Sequence, residues 1–490
     1  MKKLSELLQA IQYKEIIGSE EVMISQIEFD SRKIKKEESH TANGIIYVAQ
    51  RGLNVDGHDF IDAAIANGAS VIVVETLPEN LQNNVTYIKV DNSSVVLGRL
   101  ASAFYDFPSQ KIKLVGITGT NGKTTIATLL HKLFIDLGYP TGLISTITNI
   151  IINKEFPTTY TTPDALQLNK LLSEMVNAGC EFCFMEVSSH AVCQHRIEGV
   201  EYICGVFTNI THDHLDFHKT FDQYIKAKKS FFDNLAPTAF AITNIDDRNG
   251  EVMVQNTKAK IFTYGLQTAA TVKGKIIENH FEGLSMNINE REVFFKLCGR
   301  FNAYNLLAIY ATASLLLTEE DEKILAVMSN LESASGRFQL IYNEKGSVAI
   351  IDYAHTPDAL KNVLSTIQDI NNNSSEVITV VGCGGDRDAL KRPLMAEIAC
   401  DFSNKVILTS DNPRTEDPLK ILSDMEKGVP VSYKKNVLII ENRKEAIKTA
   451  CMMLSPGGVL LVAGKGHETY QEINHVRHPF DDREVVKEFL

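Results

Sequence analysis

The segment Gly116-Ile117-Thr118-Gly119-Thr120-Asn121-Gly122-Lys123-Thr124-Thr125 constrains this chain more than any other. It follows an apolar run over 112–117 that reads as a strand and precedes 126–137, which reads as a helix. Strand, glycine-rich turn and helix, in that order, make a cradle for phosphate. The glycines let backbone N–H groups curl around anionic oxygens, and the helix presents its N-terminus to the anion. Lys123 is placed to reach the β- and γ-phosphates and the Thr124 hydroxyl to bind Mg2+. The general pattern of such loops has Gly at the position held here by Ile117, so this one is a variant, Gly-x-x-Gly-x-Asn-Gly-Lys-Thr-Thr. A loop of this kind names no reaction, because switches, kinases, motors and ligases share it.

A chain of 490 residues suggests about three domains. Turn-rich Phe107-Pro108-Ser109-Gln110 separates a first block, with strand-like runs at 45–49 and 71–74, from the phosphate loop. The middle block alternates β-rich runs at 182–187, 204–208 and 239–243 with helical patterns such as 164–178. For that helix Thr162 is the expected N-cap and Pro163 sits in the first turn. The alternation resumes in the last block: strands at 348–351, 377–381, 406–408, 437–440 and 459–462, and helices at 357–370 and 389–400. Strands separated by helices imply βαβ units and mostly parallel sheets. The expected fold class is α/β with three domains: 1–108, then 109–335 with a central P-loop mononucleotide-binding parallel sheet, then 336–490, Rossmann-like.

Lys and Arg number 49 against 61 Asp and Glu, a formal charge of −12. That balance argues against a nucleic-acid or anionic-membrane footprint, while leaving room for a local basic pocket that holds an anionic small molecule. No run reaches the roughly 18 to 20 apolar residues that span a bilayer, so an integral membrane protein is not expected. The most apolar stretch, 306–317, reads as a buried helix. Met1-Lys2-Lys3-Leu4-Ser5-Glu6 has no apolar region behind its lysines, so a signal peptide is not expected and the chain is placed in the cytoplasm. The eight cysteines read as reduced, packed hydrophobes. Cys180 and Cys183 have C-x-x-C spacing, with no second Cys/His pair nearby to complete a zinc site.

From Thr118-Gly119-Thr120-Asn121-Gly122-Lys123-Thr124-Thr125 onward the chain resembles the Mur ligases, the ATP-dependent amide-forming enzymes of peptidoglycan synthesis. Further matches follow in order: Met185-Glu186-Val187-Ser188-Ser189-His190, Thr208-Asn209-Ile210-Thr211-His212-Asp213-His214-Leu215-Asp216, Tyr224-Ile225-Lys226-Ala227-Lys228, Asn302-Ala303-Tyr304-Asn305, Gly336-Arg337-Phe338, Asp352-Tyr353-Ala354-His355-Thr356-Pro357, Asp411-Asn412-Pro413-Arg414 and Gly464-Lys465-Gly466-His467-Glu468. The resemblance spans all three blocks. It implies that they anchor a UDP-sugar, bind ATP and bind an amino acid, respectively. The implied reaction adds meso-diaminopimelate to the D-Glu γ-carboxylate of UDP-N-acetylmuramoyl-L-Ala-D-Glu through an acyl phosphate, with ATP as co-substrate and two Mg2+ ions. A monomer that binds no nucleic acid is expected.

The resemblance also distributes roles. Gly119, Thr120, Asn121, Gly122, Lys123, Thr124, Thr125, Asn302, Arg337 and Asp352 would bind ATP, with His355 near the phosphates. Thr124, Glu186, His214 and Lys228 would serve the metal ions, Lys228 as a carbamate (N6-carboxylysine), and Lys123, Lys228, His214, Glu186 and Arg337 would be catalytic. Composition alone would put the lysine-rich run around Lys228 on a solvated helix face. Carbamylation instead turns a cation into an anionic oxygen ligand. Ser31, Thr161, Thr162, Ser188, Gln194 and Arg196 would hold the UDP-muramoyl-dipeptide, with Leu53, Asn54 and Val55 in the matching loop. Arg387, Asp411, Asn412, Pro413, Arg414, Gly464 and Glu468 would hold meso-diaminopimelate. Two buried arginines, Arg414 and Arg387, would grip its distal carboxylate, which lysine lacks. An L-lysine-adding relative, a folylpolyglutamate synthetase and, from another class, a P-loop switch ATPase remain open.

Overall fold

The computed structural model describes residues 1–34, 44–52, 55–158, 160–211, 215–372 and 374–490. Their strands fall into three large sheets and one small hairpin.

The first sheet runs, edge to edge, Lys2–Lys3, Met23–Glu28, Gly44–Val48, Val71–Val74, Thr86–Lys89 and Glu15–Ile17. Its four central strands are parallel, and the two short edge strands pair antiparallel. Gly44–Val48 and Val71–Val74 are buried on both faces, as parallel strands covered by helices must be. Helix Ser93–Phe104 is capped by Asn92, whose side chain accepts from the N–H groups of Ser94 and Val95. A left-handed Phe107 and Pro108 then turn the chain into the next sheet.

That second sheet has eleven strands among the described residues. Seven are parallel, in the order Thr141–Ile144, Phe182–Glu186, Lys113–Thr118, Cys204–Phe207, Phe240–Asn244, Lys260–Gly265 and Val272–His280. Antiparallel strands extend both edges: Asn149–Ile151 and Lys154–Phe156 on one side, Gly283–Ile288 and Arg291–Phe295 on the other. Helices Lys123–Asp136 and Arg300–Leu316 pack on one face around Val115, Leu129, Leu133, Leu306 and Ile309. Leu306 to Ala311 are all buried, so the second of these helices runs through the core, as its unbroken apolar sequence demands. Phe134 meets Phe182 and Phe184 edge-on, each at 4.8 Å between ring centroids. Burying one such ring contributes about 1.5–3 kcal/mol.

The third sheet, Gln339–Tyr342, Val348–Asp352, Val459–Ala463, Val377–Val381, Lys405–Leu408 and Val437–Ile439, is parallel except for its first strand. It is the doubly wound arrangement expected of the last block. The hairpin Tyr470–Ile473/Val476–Pro479 follows it.

One cap differs from expectation. Helix Ala165–Asn177 begins after Asp164, whose carboxylate accepts from the N–H groups of Leu166 and Gln167. Thr162 is not the cap. Its hydroxyl donates to the carbonyl of Glu186 at 2.7 Å and accepts from the N–H of Ser188 at 3.1 Å, tying the loop before the helix to the end of a central strand. A carboxylate two residues nearer the helix outcompeted the hydroxyl for the unsatisfied N–H groups.

Candidate functional site

The phosphate loop lies at the C-terminal end of Lys113–Thr118, between Phe182–Glu186 and Cys204–Phe207, where ligand crevices of open parallel sheets form. Its shape requires glycine. Gly119 has φ of +149°, and a Cβ there would lie 1.9 Å from the Thr208 hydroxyl oxygen. Loop and neighbouring strand are stitched together: Thr120 N–H donates to Asn209 O (2.8 Å), Asn121 N–H to Asn209 Oδ1 (3.0 Å) and the Thr208 hydroxyl to Asn121 O (2.6 Å). Lys123 folds back over the loop, donating to the carbonyls of Gly119 (3.0 Å) and Thr120 (2.8 Å).

Behind the loop, the Thr124 hydroxyl donates to Glu186 Oε2 at 2.9 Å, and Thr146 N–H donates to Glu186 Oε1 at 2.7 Å. Glu186 is fully buried at the end of its strand. Lys228 comes from helix Phe221–Asp233, and its placement overturns the solvated-face reading: it is 1% exposed. Its Nζ donates to Gly119 O at 2.7 Å and lies 4.8 Å from the Tyr224 ring centroid. His214, Leu53 and Asn54 lie outside the described residues.

On the other side of Glu186, the Thr146 hydroxyl donates to Thr161 Oγ1 (3.0 Å). Arg196 donates to Thr162 O (2.8 Å) and stacks over Tyr160 (4.9 Å). Gln194 does not face this space. Its Oε1 accepts from Arg196 Nε and Nη2 at 2.9 and 2.6 Å, so it aims the guanidinium. Ser188 caps the short helix Ser189–Cys193, accepting from Ala191 N–H.

The third sheet reaches the same place. Arg337 Nη2 is 3.4 Å from Thr124 Oγ1, its guanidinium stacks on Tyr353 (4.8 Å), and its Nε is buried without a hydrogen-bond partner among the described residues. Asp352 accepts from the N–H groups of Phe338 (2.7 Å) and Ala354 (2.8 Å). Burial pushes its carboxyl up, opposed by the nearby Arg337 guanidinium and those N–H bonds. One cavity of about 890 Å³ is lined by Thr120 to Thr125, Glu186 and Lys228, by Thr161, Thr162 and Arg196, and by Arg337, Asp352 and His355. It extends past Arg300, Tyr304 and Asn305. Asn302 is absent from its lining: it is 2% exposed and stands behind Asn305, whose Nδ2 donates to Asn302 Oδ1 at 3.0 Å. One helical turn separates the two, and the helix's rotation decides which faces the space.

The residues expected to hold an amino acid gather separately at the C-terminal ends of the third sheet's strands. Asp411 and Asn412 are buried. Arg414 is half-buried, with Nη1 donating to Gly385 O (2.6 Å) and Nε 3.8 Å from Glu472. Pro413 carries the chain between them, and its carbonyl lies 1.9 Å from where a Cβ on Gly385 would stand, so the two loops touch backbone to backbone. Arg387 is not buried as expected. It lies in the exposed loop 386–390 before helix Lys391–Phe402, with its Nη1 on Asp386 O (3.3 Å). Gly464 has φ of +115° and would clash with Asp411 if it bore a Cβ, while Glu468 accepts from Asn412 Nδ2 at 2.8 Å. Ser31 is buried in the first sheet's unit, where Asn67 Nδ2 donates to its carbonyl at 2.9 Å. Tyr353 and Lys465 were passed over by sequence reasoning, although both stand inside quoted motifs.

Three family models match the chain: "Mur ligase family, catalytic domain" over 24–105, "Mur ligase middle domain" over 117–313 and "Mur ligase, glutamate ligase domain" over 336–466. The chain is 54% identical over 489 residues to a protein of Cytophaga hutchinsonii named UDP-N-acetylmuramoyl-L-alanyl-D-glutamate--2,6-diaminopimelate ligase, covering 100% of this chain and 99% of that one. It is 52% identical over 488 residues to the protein of the same name from Phocaeicola vulgatus, with the same coverage. A solved structure of a protein so named superposes with a TM-score of 0.67 at 33% identity, covering 95% of this chain and 94% of that one.

Proposed function

This chain belongs to the Mur ligase family, and on that premise we propose that it joins meso-diaminopimelate to the D-Glu γ-carboxylate of UDP-N-acetylmuramoyl-L-Ala-D-Glu, with conversion of ATP to ADP and phosphate. One observation carries the reading beyond the family. The phosphate loop, the Thr161-Thr162-Arg196 wall and Arg337, from the loop before the third sheet, line one continuous cavity. A carboxylate held by the wall and a γ-phosphate held by the loop would therefore meet without crossing solvent.

The chemistry divides as follows. A carboxylate does not react with an amine near neutral pH. It attacks the γ-phosphorus of ATP, ADP leaves, and the acyl phosphate formed is attacked by the amino group of the amino acid, releasing phosphate. The loop N–H groups and Lys123 hold the phosphates, and Arg337 adds a guanidinium fork to the charge that develops during transfer. Thr124 and Glu186, an oxygen pair 2.9 Å apart, suit a hard divalent cation, and Mg2+ held there would neutralise phosphate charge. Lys228, buried beside Gly119, is suited to a carbamate. Its neutral amine adds CO2 and loses a proton, replacing a positive charge near the phosphates with an oxygen ligand. Arg414, Asp411, Asn412, Gly464 and Glu468 form the amino-acid site, with Arg414 as the partner of the distal carboxylate. Ser31 belongs to the uridine side. The proposed division is 1–108, 109–335 and 336–490, and the grouping of the described strands into three large sheets supports it.

A monomer is the expected working unit. No helix among the described residues is long and apolar enough to cross a membrane. Together with nucleotide substrates this favours the cytoplasm. A phosphate-release assay with an amino-acid panel tests the function. Phosphate should appear only when the UDP-muramoyl-dipeptide and meso-diaminopimelate are both present. Release with nucleotide alone would replace the ligase with a switch ATPase. Equal use of L-lysine would overturn the amino-acid assignment alone.

A further inference from the structure

The loop after Val459–Ala463 carries a lysine to which no role has been given so far. Lys465 is 0% exposed, and three oxygens converge on its Nζ: Asn412 Oδ1 at 3.0 Å, Glu468 Oε2 at 3.0 Å and Asp411 Oδ1 at 3.9 Å. The Tyr470 ring centroid is 5.5 Å away. An ammonium with no access to water persists only with such compensation.

The contacts have a direction. Lys465 Nζ and Asn412 Nδ2 both donate to the same oxygen of Glu468, Oε2. That holds the carboxylate in one orientation and leaves Oε1 as its acceptor for a ligand. Asn412 is oriented in turn. Its Oδ1 accepts from Lys465 and from the N–H of Glu472 (2.9 Å), so its Nδ2 must face Glu468. Charge points the same way. Asp411 and Glu468 carry two formal negative charges and Lys465 one positive, a balance that suits one incoming ammonium. Of the other charges nearby, Arg443 is paired with Asp482, and Arg414, 3.8 Å from Glu472, is the cation for the ligand's distal carboxylate.

We propose that Lys465 is a positioning residue of the amino-acid site, presenting Glu468 Oε1 to an ammonium group of the diamino acid through its hold on Glu468 Oε2 and Asn412. The proposal rests on the amino-acid site assigned above. It differs from a purely structural counter-ion role in what its removal changes: affinity for the amino acid rather than the fold or the ATP chemistry.

The test is steady-state phosphate release with each of the three substrates varied in turn. Lys465→Met should raise KM for meso-diaminopimelate by about tenfold or more, the scale of a lost charged hydrogen bond, while KM for ATP and for the UDP-muramoyl-dipeptide stays within about twofold. Combined with Glu468→Gln, it should add little to the effect of Glu468→Gln alone, because both act on one carboxylate. An unchanged KM for the amino acid, an equal rise for all three substrates, or multiplying effects in the double variant would each overturn the proposal. Lys465→Arg keeps the charge but replaces a point donor with a planar fork. It should still raise that KM severalfold, and it serves if the methionine variant does not fold. Arg414→Ala and Glu468→Gln test the site itself. If neither changes KM for the amino acid, the site lies elsewhere. If both do and the Lys465 variants do not, only the positioning role fails.

Discussion

Arg337 Nη2 stands 3.4 Å from the hydroxyl of Thr124, a residue 213 positions earlier in the chain. The contact joins the loop before the third sheet to the first turn of the phosphate-loop helix. That hydroxyl donates to Glu186, so guanidinium, hydroxyl and carboxylate form one line across the interface of two sheets.

Arg337→Ala should therefore lower kcat by about 10²- to 10³-fold, the usual scale for losing a donor aimed at developing charge. Arg337→Lys should recover only part of it, because a point ammonium replaces a fork. Rapid-quench measurement of ADP formation checks this. A wild-type rate in the alanine variant would remove Arg337 from the chemistry.

Glu186→Gln keeps an acceptor for the Thr124 hydroxyl and deletes the charge. Turnover should fall by about 10²-fold or more, with the Mg2+ titration midpoint moved to higher concentration. If rate and midpoint both match the parent protein, the metal role of Glu186 is wrong.

Lys228→Ala should abolish turnover, with partial rescue by short carboxylates that can occupy the vacated space. Intact-mass spectra of the parent protein, recorded without acid, should show one added CO2 that the variant lacks. Full activity in Lys228→Ala would sink the assignment.

Arg414→Ala should reduce kcat/KM for meso-diaminopimelate by about 10²-fold or more and leave the slow use of L-lysine nearly unchanged, since lysine has no distal carboxylate to lose. The ratio of the two rates, measured in one assay, decides it. A parallel fall for both amino acids would point to loop damage.

His131 supplies a pH dependence. Burial lowers its pKa from 6.5 to about 4, and it is held against the Thr141 hydroxyl at 2.7 Å. Because the unfolded chain binds this proton more readily, the contribution is fully present above about pH 6.5 and is lost as pH falls toward 4. The loss is about 2 kcal/mol at about pH 5 from this group alone. Urea unfolding at about pH 7.5 and 5 should show it, and His131→Gln should flatten the difference. An equally steep loss in the variant would contradict the assignment.

The elements were largely legible because each is governed by nearby residues. Val71–Val74 and Val377–Val381 sit where the apolar runs placed them, and the phosphate loop lies between its strand and helix as its glycines require. The antiparallel strands that widen the second sheet were missed, since short half-exposed strands such as Arg291–Phe295 show little alternation. The cap of Ala165–Asn177 was misplaced because two oxygen-bearing side chains competed for it.

At the site, the chemistry of each motif was written in the sequence, and its orientation was not. Which of Asn302 and Asn305 faces the cavity depends on how a buried helix is rotated against two neighbours. Whether Lys228 is solvated depends on a strand end more than a hundred residues away. Lys465 gains its partners only when two loops of one sheet meet. The sequence by itself determined which segments become strands, helices and loops, and which functional groups the chain owns, because those follow from local spacing and residue chemistry. Only the tertiary structure decided that Thr124, Glu186, Lys228 and Arg337 share one space while Arg387 stays in solvent, because burial and charge pairing are set by long-range packing.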